Sequence, residues 1–90
     1  MPYIKPERRV ALDEQIRALS DRIDSRGELN YAITALLLSE VRGLSYAELS
    51  SLMGDIECVK QEFYRRVLAP YEDEKCRENG DVYFPNPREA

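Results

Sequence analysis

The sequence predicts an all-α protein. Apolar residues recur at three- and four-residue intervals, Ser45 and Glu48 form a helix-start signature, and glycine and proline stand at the ends of each periodic segment. Three main helices are expected at about 6–24, 28–42 and 46–69. A short fourth segment is expected at about 71–78, followed by an extended carboxy-terminal tail. Ninety residues make a single helical domain, 1–90.

The first helix opens at Pro6-Glu7, because proline fits the first helical turn. Leu12, Ile16, Leu19 and Ile23 then form one narrow stripe. Gly27 is expected to take a positive φ and stop it. In the second helix Leu29, Ile33, Leu36 and Leu37 share one face, while Tyr31, Ala35 and Leu38 lie roughly opposite. A helix apolar on two sides calls for cover on two sides. Gly43 is its expected stop.

Ser45 and Glu48 give the third helix a capping box, and Leu44 with Leu49 stands at staple spacing. The face Leu49, Leu52, Ile56, Val59, Phe63, Val67 runs straight through Gly54, so one continuous helix is expected. Pro70 is expected to end or kink it. Asp73 and Arg77 stand one turn apart in the fourth segment, and Asn79-Gly80 is a stop. Tyr3-Ile4 and Val82-Tyr83-Phe84 are candidates for a minimal two-strand contact. A loose tail begins at Pro85-Asn86-Pro87.

Composition narrows the functions. The net charge of −4 opposes non-specific attraction to nucleic acid or anionic membrane, and no membrane segment is expected. The chain has no histidine, which removes His-containing zinc sites and His-based triads. Its two cysteines, Cys58 and Cys76, form no CxxC pair and are too few for a disulfide scaffold. The start MPYIKPERR lacks the apolar run of a signal peptide, so a cytoplasmic protein is expected. No cofactor is implied, and the Glu72-Asp73-Glu74 run reads as a solvated face rather than a metal site.

Two surfaces stand out. The third helix would be about 36 Å long, against a radius of gyration of about 12 Å for a compact domain of this size. Such a helix reaches toward a partner. Its side away from the core carries Ala47, Ser51, Gly54 and Cys58, small enough for another helix to approach, which makes them candidates for a homo-oligomer interface. Asn30, Tyr31, Lys60, Tyr64, Arg65 and Arg66 combine hydrogen bonding, stacking and positive charge. They are candidate contacts for a host protein or a small anionic, nucleotide-like ligand. Asn30, Glu40 and Lys60 could also join in one polar network.

Residues 43–67 resemble the helix-turn-helix of sigma-factor-type DNA-binding regions through Gly43, Ser45, Tyr46, Glu48, Leu49, Leu52, Gly54, Val59 and Lys60. The stretch from Gly54 to Val59-Lys60 is one residue short of that pattern. Asp55, Glu57 and Glu62 oppose Lys60, Arg65 and Arg66, so phosphate attraction gains little. A third alternative, a nucleotide pyrophosphohydrolase holding metals on carboxylate clusters, needs facing ExxE and ExxD helices, and no convincing pair occurs.

A broader resemblance covers nearly the whole chain. MPYIKPE, GELNYAIT and ECVKQEFYRRVLAPYEDEKCRENGDVY resemble a family of small uncharacterised proteins of phages, prophages and environmental bacteria. That resemblance implies an accessory protein of mobile elements or their hosts, and carries over no catalytic residue. The leading expectation is therefore a non-catalytic, homo-oligomeric interaction or ligand-binding protein.

Overall fold

A computed structural model describes residues 3–84. All regular structure among them is helical, and the chain divides into two units, 1–40 and 41–90. The tail expected from Pro85 onward lies outside the described residues.

The first unit holds α1 (Pro6–Ser20) and α2 (Arg26–Ser39). Pro6 begins α1 as expected, but the helix stops four residues short of Asp24. Its last turn tightens: Arg22 N–H donates to the Leu19 carbonyl and Ile23 N–H to that of Ser20, both three residues back. Asp24 and Ser25 are then claimed by the next helix. The Ser25 hydroxyl accepts the Glu28 N–H at 3.1 Å, and the Glu28 carboxylate accepts the Asp24 N–H at 2.7 Å. This is a variant of the capping box, with the carboxylate reaching one residue further back. Gly27 therefore lies inside the first turn of α2 and has no positive φ, contrary to its expected role as a stop. Gly43 has no positive φ either, and α2 ends at Ser39, whose hydroxyl donates to the Leu36 carbonyl. Where α1 turns into α2, Leu19, Arg22 and Ile23 face Glu28, Tyr31, Ala32 and Ala35 across a shallow cleft of about 350 Å³.

The second unit is dominated by α3 (Tyr46–Phe63), a π-helical turn (Tyr64–Leu68) and α4 (Ala69–Asn79), which follow one another without a break. Ser45 caps α3 by accepting the Glu48 N–H at 3.2 Å. The Leu44–Leu49 staple does not close, since Leu44 is 86% exposed. The helix passes through Gly54, and it also passes through Pro70. In an α-helix the Pro70 ring would collide with the Arg66 carbonyl, four residues earlier. The π turn directly before it places an extra residue in the turn, and the Ala69 N–H reaches back to the Tyr64 carbonyl. Helix therefore runs from Tyr46 to Asn79, about 50 Å at 1.5 Å per residue.

Gly80 ends it with φ 87°, a backbone that glycine alone adopts readily, and its N–H bonds the Cys76 carbonyl at 2.8 Å. Arg77 pairs with Glu74 rather than with Asp73. Neither Tyr3-Ile4 nor Val82-Tyr83-Phe84 is a strand. The Asp81 carboxylate instead accepts the N–H groups of Tyr83 at 2.8 Å and Phe84 at 3.1 Å, which bends that segment into a side-chain-capped turn.

Candidate interaction surface

A helix can bury its apolar stripe only against something else. Within the second unit α3 carries Leu49, Leu52, Ile56, Val59 and Phe63 along one side. Leu52 and Ile56 are half-buried, whereas Val59 and Phe63 are 67% and 64% exposed. In α2 of the first unit Ile33, Leu36 and Leu38 are exposed, and Ala32, Ala35 and Leu37 are half-buried. No side chain among the described residues is fully buried. No helix of the described residues is long and apolar enough to cross a membrane.

The candidate ligand contacts fall in both units. Asn30 and Tyr31 belong to α2, and Tyr31 lines the cleft at the α1–α2 turn. Lys60, Tyr64 and Arg65 come together in the second unit, where with Gln61, Phe63 and Leu68 they line a groove of about 590 Å³. That groove follows the π turn, which holds more residues per turn than an α-helix and includes Tyr64 and Arg65. Lys60 is 76% exposed and lies 3.7 Å from Glu57, so it joins no buried network. Glu40 ends the first unit as the residue capping α2.

Beside the groove, Arg65 and Arg66 share one acidic partner. Glu62 accepts from Arg66 Nε at 2.8 Å and from Arg65 Nη2 at 3.1 Å through the same oxygen. These bonds, Arg66 first and Arg65 second, hold its carboxyl below the usual glutamate range. The two arginines thus carry an internal counter-ion. The spacing Glu62 to Arg65 and Arg66, three and four residues, was the available signal. Across the turn the Tyr64 hydroxyl reaches Glu72 at 3.5 Å.

The small-residue stripe lies wholly on α3. Cys58 is exposed, and a Cβ added at Gly54 would meet open space. The helix-turn-helix is not formed: residues 46–63 are one helix, with no turn at Gly54. Among the described residues, no three acidic or cysteine side chains converge into a metal-holding group.

The model of a family described as a domain of unknown function (DUF6899) matches residues 1–82, so the chain belongs to that family. No curated protein and no solved structure matches it.

Proposed function

We propose that this member of the DUF6899 family is a non-catalytic, homo-oligomeric helical interaction protein of the cytoplasm. The observation that carries the reading is the long helix from Tyr46 to Asn79, along which no apolar side chain is fully buried. Apolar surface left in water costs about 25 cal/mol per Å², and association is the direct way to recover it. The resemblance of MPYIKPE, GELNYAIT and the carboxy-terminal third to phage and prophage proteins supports an accessory role in phages or their bacterial hosts.

Two parts of the surface serve this function. The helix face offers the contact between copies, with the Ala47-Ser51-Gly54-Cys58 stripe as a second candidate on the other side. The groove of Lys60, Tyr64 and Arg65, with Arg66 beside it, suits an acidic segment of a host protein or a small anion. Asn30 and Tyr31 supply hydrogen-bonding and stacking groups in the first unit. An incoming anion would compete with Glu62 for the two arginines, so binding there should strengthen when Glu62 is neutralised.

Native mass spectrometry of the purified protein tests the reading, because it reports stoichiometry and any co-purified small molecule together. Two or more copies per particle is the expected result. A population made up only of single 10.4 kDa chains would overturn it.

A further inference from the structure

We propose that two copies of this chain join along Leu49, Leu52, Ile56, Val59 and Phe63 of α3 as a parallel, in-register coiled coil, with Asp55 of each copy facing Lys60 of the other. The inference deepens the homo-oligomer reading and rests on it.

The spacing of the five residues is three, four, three, four. That is the alternation of a coiled-coil seam, where each side chain enters a hole between four residues of a neighbouring helix. All five lie on one unbroken α-helical segment, and the most exposed of them, Val59 and Phe63, are about two-thirds exposed. The seam closes at Phe63 for a structural reason. The π turn begins at Tyr64, adds a residue to the turn and shifts the phase of everything beyond it.

The flanks identify both the occupant and its direction. One side of the seam carries Glu48, Asp55 and Glu62; the other carries Tyr46, Met53 and Lys60. An antiparallel copy would set the acidic flank against itself, and like charges held face to face repel. A parallel copy sets each flank against the opposite one. Asp55 then meets Lys60 of the second copy, twice by symmetry, while Glu48 faces Met53. Glu62 already has Arg65 and Arg66 as counter-ions. Lys60 lies 3.7 Å from Glu57 of its own chain on an open surface, so it can turn to the partner. The small-residue stripe lies roughly 150° round the helix from the seam, where this pairing leaves it facing water.

Disulfide trapping tests the geometry. In a chain carrying Cys58→Ser and Cys76→Ser, Leu52→Cys should form an interchain disulfide under mild oxidation, because in-register copies place this position opposite itself. A chain that keeps Cys58 as its sole cysteine should cross-link at least tenfold more slowly. Independently, Lys60→Glu should weaken association roughly fivefold to tenfold, and Asp55→Lys combined with Lys60→Glu should restore it to within about twofold. Dimers that cross-link through Cys58 but not through Leu52→Cys, or a double variant weaker than Lys60→Glu alone, would overturn the seam and leave the oligomer standing. A wild-type chain that stays monomeric would overturn both.

Discussion

The Ala69 N–H donates to the Tyr64 carbonyl, five residues back and one residue ahead of Pro70. That π-type bond lets a proline sit inside a long helix. It also sets the position of Tyr64 and Arg65 at the groove, so helix continuity and the candidate site depend on the same turn.

Replacing Pro70 should therefore remove a cost rather than a hinge. Pro70→Ala restores an N–H and lets the segment relax to regular α-helix, with an expected gain of about 1 kcal/mol, well below the ~3 kcal/mol of an unrelieved helix proline. Thermal unfolding followed by circular dichroism checks this. A loss of helicity would show that the proline is needed to hold the turn.

The two serine caps should prove comparable. Ser25→Ala and Ser45→Ala each free one N–H at a helix start, and each should cost about 1 kcal/mol in the same thermal assay. An effect at Ser45 with none at Ser25 would argue against the start of α2 at Arg26.

These caps also show how far the fold was legible. Ser45-x-x-Glu48 is legible as the start of α3, and Ser25-x-x-Glu28 is the same signature. It was obscured by Gly27, whose usual role as a terminator suggested a stop, although a helix's first turn tolerates glycine. Pro70 misled for a related reason: its collision with the preceding turn is a property of α geometry, and local sequence does not announce a π turn. The apolar stripe of α3 is legible, but among the described residues no fully buried core receives it. At the candidate site Lys60, Tyr64 and Arg65 are legible as candidate contacts, whereas Glu62 by itself reads only as a charge opposing phosphate. Its position three and four residues before the arginines makes it their partner.

Glu62 gives the pH dependence. Its carboxyl is held below the ordinary glutamate value by hydrogen bonds from Arg66 and then Arg65. A depressed carboxylate contributes stability that is fully present above the unfolded-state value and is lost as pH falls through the lower folded value. Helicity should therefore decline on acidification from the ordinary glutamate range downward. Glu62→Gln should reduce that decline, and an identical titration for variant and wild type would contradict the clamp.

Gly54 and Gly80 should respond to alanine in opposite directions. Gly54 lies in a helix with open space around it, so Gly54→Ala should stabilise by about 1 kcal/mol and leave the solution mass unchanged. Gly80 has φ 87°, so Gly80→Ala should destabilise by about 1–3 kcal/mol and fray α4. A fall in mass for Gly54→Ala would instead point to the small-residue stripe as the contact.

The claim that most depends on experiment is that the long helix carries a second copy. Light scattering at micromolar concentration measures it directly. The wild-type chain should have a mass of about 21 kDa, twice the 10.4 kDa of one chain, and Ile56→Asp should halve it. A wild-type mass of 10.4 kDa, unchanged by Ile56→Asp, would contradict it.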